Sequence, residues 1–410
     1  MEQKRRIWEH PWKYKEGFVI ALFLIIIGFA IQYNTKNITV ININWPTNIL
    51  IIILFAAIII TLATFFRSFY IVKWLGSIPA SVSSISTFTI LTLLMGFIVQ
   101  DHSANPEFLN KIGLSNLTHS WSFIIAQSYL LITLGLVVAR RITPINLNNI
   151  GFTLNHLGLW IVISAGVLGT GDLQRLTMDL QENQTSWIAK DSKGNEIEMP
   201  FAFKLNDFSM QEYNPKIGIV DNNTGKLLHN DGKNLFLIES GLKCTILDYK
   251  IELNNFLHES GYVMGRFEQV NDIGASPSAF IKVTDTKTNN IITDWISCGS
   301  FRMPYKSIRI DSLYSVVMLP PEPKEFKSKV TYYTKDGAIE NAELLVNHPI
   351  NVDGWEVYQL SYDDKMGKWS SLSVIELVKD PWLNIVYLGF YMMIAGAVFL
   401  FFRGKKLKTD

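Results

Sequence analysis

The residue best placed to do chemistry is His156, which lies in an apolar stretch long enough to cross a membrane as a helix. The stretch runs from Ile150 to Gly171 and contains no Asp, Glu, Lys or Arg. Of the six apolar runs in the chain, it is the only one that holds a side chain titrating near neutral pH. A polar group in hydrocarbon is costly unless something binds it, so His156 is a candidate functional residue.

The position of His156 within its run places it near one face of the membrane. At a rise of about 1.5 Å per residue, it lies roughly 9 Å inside the start of the helix. Trp160 follows four residues later and shares the same helix face. Its indole either contacts whatever His156 binds or packs between helices.

Six apolar runs and one polar region define the elements that must position His156. The runs cover residues 17–33, 49–66, 84–100, 121–139, 150–171 and 381–402. The third run is rather short and would borrow the uncharged residues before it. Between the fifth and sixth runs, charges, Asn and Gly recur among short alternating segments, with turn signals at Asp231-Gly232, Asp336-Gly337 and Asp353-Gly354. This pattern is typical of an antiparallel β domain.

The predicted fold is therefore an integral membrane protein with six transmembrane helices and a large extracytoplasmic β-rich domain between helices five and six. We predict a cytoplasmic N-terminus over 1–16, an N-terminal helical hairpin over 17–66, and three core helices within 67–171. The β-rich domain then covers 172–380, the last helix 381–402, and a basic cytoplasmic tail 403–410. We expect the first helix to be retained, because no small-residue cleavage site follows it.

Charge and composition narrow the class of protein further. The chain has 410 residues, of which 48% are hydrophobic and 18% charged, with a net charge of +1. A nucleic-acid-binding protein would need a concentrated basic face, so we expect no nucleic-acid partner. The two cysteines, Cys244 and Cys298, form no CxxC motif, which argues against a zinc or dithiol site. A disulfide between them and two separate buried thiols are equally compatible with the sequence.

Orientation follows from the Lys and Arg residues that flank the runs. The four positive clusters are Lys4–Arg6, Arg67 with Lys73, Arg140 with Arg141, and Arg403–Lys408. All four fall on one side if every run spans the membrane, and the positive-inside rule assigns that side to the cytoplasm. We therefore predict a multi-pass protein of the bacterial inner membrane, in contact with membrane lipid, with both termini cytoplasmic and the β-rich domain periplasmic. His156 then lies near the cytoplasmic face.

Several separated motifs lie along the chain, and the C-terminal ones are VNHP, GW-x-x-YQ-x-SYD and V-x-DP-x-x-x-x-VYLGF within Glu343–Phe402. These motifs resemble the ResB family of cytochrome c maturation proteins. Pro323–Val330 is similar to the family's P-x-x-F-x-S-x-V segment, and Trp121–Arg141 to its second core helix. His156-Leu157-Gly158-Leu159 followed by Ser164-Ala165-Gly166 is similar to its third. The resemblance covers about residues 80–402, so the hairpin over 17–66 is additional and has no assigned role.

The resemblance implies a function in haem handling. ResB proteins act with a second membrane protein, CcsA, to carry haem b across the membrane and attach it to the CxxCH motifs of apocytochromes c. In fused versions of the pair, a histidine near the start of a ResB-type helix is thought to ligate haem, and His156 resembles it. The partner supplies the opposing histidine and an outer pair beside a tryptophan-rich segment, which is not evident here.

The chemistry of His156 agrees with that implication. Neutral imidazole is a good axial ligand for haem iron, and burial favours the neutral form. A self-contained b-type cytochrome usually needs two membrane histidines, whereas this chain has one, so the second ligand would come from a partner. The alternative is a helix-terminal histidine hydrogen-bonded to a neighbouring helix. For Trp160, the corresponding alternatives are flanking a porphyrin and packing between helices.

The remaining histidines are weaker candidates. His348 in VNHP is better explained by turn chemistry than by an outer ligand role. His102 and His119 lie in the predicted outer loop before the fourth helix and could assist an outer haem site. His10 on the cytoplasmic side would at most influence haem entry. His229 and His258 lie among polar residues.

No catalytic residue is evident in the sequence. The aromatic residues Trp355 and Tyr358 are predicted to be core or interface residues. No catalytic triad, P-loop or dinucleotide fingerprint is present, so we expect an accessory subunit of a haem lyase complex. Thioether formation needs haem vinyl groups held beside reduced thiols, which is a positioning task. Two other hypotheses stay open: a membrane-anchored extracytoplasmic binding or sensor protein without haem, and a quinone-linked b-type cytochrome subunit.

Overall fold

The chain folds as two compact units in the computed structural model. The structure describes residues 8–35, 43–142, 149–228 and 234–402. The helical unit comprises the described parts of Met1–Leu173 and Asp380–Asp410, and the β-rich unit comprises those of Gln174–Lys379. The turn signal at Asp231-Gly232, the histidine at position 229 and the basic clusters at 4–6 and 403–408 lie outside the described residues.

Six helices in the described part of the chain are long and apolar enough to cross a membrane. They are α1 (Tyr14–Asn34), α2 (Thr47–Thr64), α4 (Ile78–Phe97), α6 (Trp121–Ile142), α7 (Ile150–Leu168) and α8 (Leu383–Phe402). Two short helices, α3 (Tyr70–Leu75) and α5 (Glu107–Lys111), lie between them. A 3-10 segment, Leu114–His119, precedes α6, and another, Gly169–Asp172, continues α7.

Helix α4 begins six residues before the apolar run over 84–100 that predicted it. Pro79 occupies its first turn, where proline is tolerated because the N–H there has no intrahelical partner. Two serines in the first two turns of α4 are paired with α6: Ser83 Oγ lies 2.9 Å from Tyr129 Oη, and Ser84 Oγ lies 2.9 Å from Thr133 Oγ1. Polar pairs of this kind satisfy hydroxyl groups inside an apolar helix bundle.

Helix α6 continues to Ile142, three residues beyond its predicted end, because Arg140 is anchored. The Arg140 guanidinium donates hydrogen bonds to the carbonyls of Val72 (2.7 Å) and Lys73 (3.1 Å) near the end of α3. A cation at the carbonyls of a helix C-terminus is favourable. We call this end of the helical unit the basic end.

Glycines allow α7 and α8 to pack closely along their length. A Cβ atom on Gly158 would lie 2.5 Å from the Gly389 carbonyl oxygen, and one on Gly396 would lie 2.5 Å from the Asn155 amide nitrogen. Asn155 Nδ2 also donates to the Met393 carbonyl at 3.2 Å. Small residues at such contacts let two helices approach closely. In a lipid environment this close packing matters, because an apolar side chain is buried equally well by lipid and by another helix.

The β-rich unit contains three antiparallel sheets. The first has the strand order β14-β13-β3-β2-β1-β17-β16-β15, the second β10-β9-β7-β6 with β8 on β7, and the third β11-β12-β4-β5. The strands are β1 (Gln174–Gln181), β2 (Thr185–Lys190), β3 (Glu196–Glu212), β4 (Lys216–Asp221), β5 (Phe236–Leu237), β6 (Lys243–Ile246), β7 (Tyr249–Val263), β8 (Arg266–Gln269), β9 (Ser276–Asp285), β10 (Ile291–Ser297), β11 (Ile308–Arg309), β12 (Tyr314–Met318), β13 (Pro323–Tyr333), β14 (Ile339–Leu345), β15 (Ile350–Val352), β16 (Trp355–Tyr362) and β17 (Leu372–Lys379).

Two cores stabilise this unit. Alternate residues of the long strands point inward, as on β16, where Trp355 and Val357 are buried and join the core of the eight-stranded sheet. The second core lies among the two smaller sheets and includes Ile217, Ile251 and Ile281. The buried position of Trp355 agrees with its interpretation as a core aromatic, whereas Tyr358 is half-buried and donates a hydrogen bond to Glu356.

The Asp353-Gly354 signal corresponds to a two-residue hairpin turn. Asp353 has φ of 49° and Gly354 has φ of 80°, and the flanking residues Val352 and Trp355 pair directly. Two successive positive φ angles are the geometry for which Asp-Gly is preferred. The Asp336-Gly337 signal likewise lies in the turn between β13 and β14.

Candidate functional site

His156 lies in the second turn of α7, close to the basic end. Its ring stacks on Phe152, with centroids 3.7 Å apart and planes inclined by 22°. The Arg141 guanidinium lies over the same Phe152 ring, 4.1 Å from its centroid. Because Arg141 belongs to α6, this stack joins the last turn of α6 to the first turns of α7.

One hydrogen bond orients the His156 imidazole. Nδ1 lies 3.0 Å from the Phe152 carbonyl oxygen, one turn earlier on the same helix. A carbonyl only accepts, so Nδ1 must carry the proton, and in the neutral ring Nε2 then keeps its lone pair. Among the described residues Nε2 has no hydrogen-bond partner. A backbone carbonyl on one ring nitrogen is the usual arrangement when the other nitrogen ligates a metal.

Trp160 occupies a packing position between helices. Its indole Nε1 donates to the Leu131 carbonyl on α6 at 3.2 Å, and its ring packs with Ile59 of α2. Gly135 gives the room for this contact, since a Cβ there would lie 3.2 Å from Nε1. Trp160 therefore fixes α7 against α6, and its predicted haem contact stays a prediction.

An apolar cavity of about 460 Å³ lies among α2, α6, α7 and the 3-10 segment before α6. Trp160 lines it, as does His119, whose Nδ1 lies 3.0 Å from both Thr118 Oγ1 and Asn116 Oδ1. His156 does not line this cavity. The structure thus places His119 at the end of α7 opposite to His156 and does not bring the two imidazoles together.

The other weak candidates that lie within the described residues, His348, His102, His258 and His10, are exposed. His348 lies in the turn between β14 and β15, beside Asn347 with φ of 62°. His102 is exposed in the loop after α4, and His258 is exposed on β7. His10 contacts the Tyr70 ring at 3.8 Å between centroids, at the basic end. Within the described residues, no group of three or more His, Cys, Asp or Glu side chains could hold a metal ion.

Asp172 joins three parts of the helical unit at the end opposite to the basic end. Its carboxylate accepts hydrogen bonds from the Trp45 backbone N–H (2.7 Å), Asn48 Nδ2 (2.8 Å) and Trp382 Nε1 (2.7 Å). These donors precede or begin α2 and α8. The sequence shows Asp172 only as the residue that ends an apolar run, because its partners are far away in the chain.

Replacing Asp172 with alanine should loosen α2 and α8 from α7. Asn48 and Trp382 are buried, so their donors would lose a charged acceptor without gaining water, at about 1–3 kcal/mol for each donor. We expect faster backbone hydrogen exchange at the starts of α2 and α8. Asp101→Ala is the matched control, since that carboxylate is exposed. Equal exchange in both variants would contradict the role of Asp172.

A cleft of about 380 Å³ in the β-rich unit collects charged groups that are separate in the sequence. Lys368 Nζ lies 2.8 Å from Glu259 and 3.9 Å from Glu212, and its ammonium is over the Trp369 ring. Burial raises the pKa of the Glu212 carboxyl, which the Lys368 charge partly offsets. Cys298 also lines this cleft. Sequence reasoning missed the cluster because pairing of distant strands assembles it.

The two cysteines are separate thiols with no disulfide between them. Burial raises the pKa of the Cys244 thiol to about 11 and that of Cys298 to about 12. The thiolate is the reactive form, so a value of about 12 in place of 9.0 lowers the thiolate fraction of Cys298 about a thousandfold near neutral pH.

We therefore expect both thiols of the folded protein to react slowly with a maleimide at pH 7.5. Labelling should accelerate as pH rises, and at each pH it should be faster when the protein is unfolded, because unfolding removes the burial that raises the pKa. Mass spectrometry of labelled peptides, with and without denaturant, measures the difference. Rapid labelling of Cys298 in the folded protein at pH 7.5 would contradict the conclusion that burial makes this thiol unreactive.

Comparison with known proteins bears on the second half of the β-rich unit. No curated protein matches this sequence. Residues 274–374 match the model of the ResB-like family. The matched residues run from β9 to β17 and include the PKEFKSKV, VNHP and GW-x-x-YQ segments. Over residues 274–374 the comparison confirms the family predicted from the motifs, the ResB-like family.

Proposed function

We propose that this chain is the ResB-type subunit of a cytochrome c maturation complex. Acting with a CcsA-like membrane partner, it would help to move haem b across the membrane and present it to apocytochrome c. Two findings support the proposal: the match to the ResB-like family, and an imidazole with an available Nε2 in a helix that is long and apolar enough to span a membrane. The proposed haem site of this chain rests on the second finding.

His156 would hold haem through Nε2 as one axial ligand. The bond from Nδ1 to the Phe152 carbonyl fixes the tautomer that ligation requires. The glycine contacts with α8 and the indole bond of Trp160 to α6 hold α7 in place, so the imidazole has a fixed position. With one histidine in its membrane helices, the chain leaves the opposing ligand to the partner.

Haem would be the cargo, and its vinyl groups supply the sites to which the thiols of apocytochrome c add. The described residues of this chain would contribute position: His156 holds the iron, and the β-rich unit contacts the apocytochrome or braces the partner. Proximity of this kind is sufficient to accelerate a reaction between groups that are already reactive. The subunit is therefore proposed to be accessory and without catalytic residues of its own.

The proposed orientation has the basic end in the cytoplasm of a bacterium. Arg67, Lys73, Arg140 and Arg141 are all near that end, as the contacts of Arg140 with α3 require. The positive-inside rule then gives a periplasmic β-rich unit and a His156 near the cytoplasmic face. Haem arriving from the cytoplasm would meet His156 early in its passage.

Cytochrome maturation in cells tests the proposed function. The chain is co-expressed with a CcsA-like partner and a c-type cytochrome reporter, and covalent haem is stained after denaturing electrophoresis. We expect His156→Ala to lower covalent haem at least about tenfold, because an axial ligand is lost. His258→Ala, which changes an exposed histidine of the β-rich unit, should leave it unchanged. Full maturation in His156→Ala would reject the haem role and favour a binding or sensor protein.

A further inference from the structure

The cavity among α2, α6 and α7 contains hydrogen-bonding groups that the protein itself leaves unused. Gln127 is 6% exposed and lines the cavity. Its amide nitrogen makes one long bond of 3.4 Å to the Ile163 carbonyl. Among the described residues, its amide oxygen has no partner. Leaving an amide oxygen unpaired in an apolar membrane environment costs free energy. A ligand that donates a hydrogen bond to this oxygen would therefore be stabilised.

Four aromatic rings stand among the mainly aliphatic residues of the remaining wall. Phe55, Phe123, Trp160 and His119 all line the same cavity, and Ser128 adds a hydroxyl beside Gln127. Rings of this kind favour a flat aromatic group, which they contact edge-on or in offset stacks. A volume of about 460 Å³ lies within the range of small-molecule sites.

A second apolar cavity lies on the other side of Trp160, nearer the basic end. It has a volume of about 350 Å³ and lies between α2, α6 and α7. Trp160 lines both cavities, and the rest of the second wall is almost entirely aliphatic, with Ile59, Ile60 and Leu157. A ligand with an aromatic head in the first cavity therefore has an apolar space for a tail.

We propose that this cavity binds a membrane quinol, an aromatic ring that carries two hydroxyl groups and an isoprenoid tail. One hydroxyl donates to the Gln127 amide oxygen, and Ser128 and His119 are available to the other. The tail passes Trp160 into the second cavity. The proposal concerns binding alone, and it does not depend on the haem role of His156.

The free acceptor on Gln127 predicts a preference for the reduced ring. A quinol donates hydrogen bonds through its hydroxyls, whereas the corresponding quinone has only accepting carbonyls. Losing one such bond weakens binding about fivefold. A cavity that only accommodates phospholipid chains would bind the quinol and the quinone equally.

The test uses full-length protein in phosphatidylcholine nanodiscs with decylubiquinol and decylubiquinone as probes. Mass spectrometry measures the bound probe, and the amount retained by empty nanodiscs is subtracted as background. We expect saturable binding, about fivefold tighter for decylubiquinol, and a loss of that preference in Gln127→Leu. Gly166→Phe should weaken binding about tenfold or more, because Gly166 lines the cavity and a side chain there enters open space.

Gly96→Phe is the matched control. Gly96 is also a helical glycine with open space around its Cβ position, but it lies near the end of α4 and away from the cavity. Binding in this variant should equal the wild type. No saturable binding, or equal binding in Gly166→Phe and Gly96→Phe, would overturn the proposal. Equal affinity for the two probes together with an unaffected Gln127→Leu would assign the cavity to lipid chains and overturn it too.

Discussion

Replacing Gly158 with leucine should separate α7 from α8 and destabilise the helical unit by at least about 3 kcal/mol. The new Cβ would lie 2.5 Å from the Gly389 carbonyl oxygen and 2.9 Å from the Met393 amide nitrogen. Both are backbone atoms, so relief requires the whole of α8 to move. The movement would also break the bond from Asn155 to the Met393 carbonyl.

Gly166→Leu is the control for this prediction, because it makes the same change on the same helix where a Cβ meets open space. The midpoint of thermal unfolding in detergent should fall for Gly158→Leu and stay the same or rise slightly for Gly166→Leu, since leucine favours helix over glycine. Equal midpoints for the two variants would mean that close approach of α7 and α8 contributes little to stability.

The second large effect is expected for haem in the complex with a CcsA-like partner. In His156→Ala, the haem that co-purifies should fall at least about tenfold, because the iron loses one of two axial ligands. Added imidazole should restore much of it by entering the space that the side chain leaves. Absorption in the Soret region, normalised to protein, measures the change.

A histidine variant elsewhere in the chain separates ligation from a general loss of assembly. His258→Ala alters an exposed residue of the β-rich unit and should retain the wild-type haem content. The amount of partner that co-purifies with His156→Ala should also be unchanged. Haem content that falls together with partner recovery, and that imidazole does not restore, would point to misfolding and not to a lost ligand.

Sequence patterns predicted most of the architecture, because a helix that can span a membrane is a long continuous apolar run and a half-buried strand alternates. The six long helices and the antiparallel β-rich unit are where the pattern indicated. Helix α4 begins before the run over 84–100, among the uncharged residues that the run was expected to borrow, and the hydroxyl of Ser83 there is satisfied by α6. Helix α3, with six residues, is too short to give a period.

The sequence could identify His156 but not its surroundings. An isolated histidine in an uncharged run stands out by residue type alone. The stack with Phe152 and Arg141, and the pairing of Nδ1, depend on how α6 meets α7, which no local pattern encodes. The same holds for Gln127, whose buried amide is a functional signal only once the cavity beside it is seen.

The sequence could not predict clusters of residues that are distant in the chain, for a similar reason. Asp172 meets Asn48 and Trp382 across more than 100 residues of chain, and Lys368 meets Glu259 across 109. Such contacts follow from helix pairing and strand order, which many sequences with the same periodicity would satisfy differently. Their partners could therefore be named only from the fold.

The spin state of the haem iron tests the central proposal, ligation by His156 Nε2, most directly. The electron paramagnetic resonance spectrum of the ferric complex reports the axial ligands of the iron. For the wild type with its CcsA-like partner we expect a low-spin signal from two imidazole ligands. For His156→Ala we expect a high-spin signal that returns to low spin when imidazole is added. An unchanged low-spin spectrum in His156→Ala would show that another residue ligates the iron.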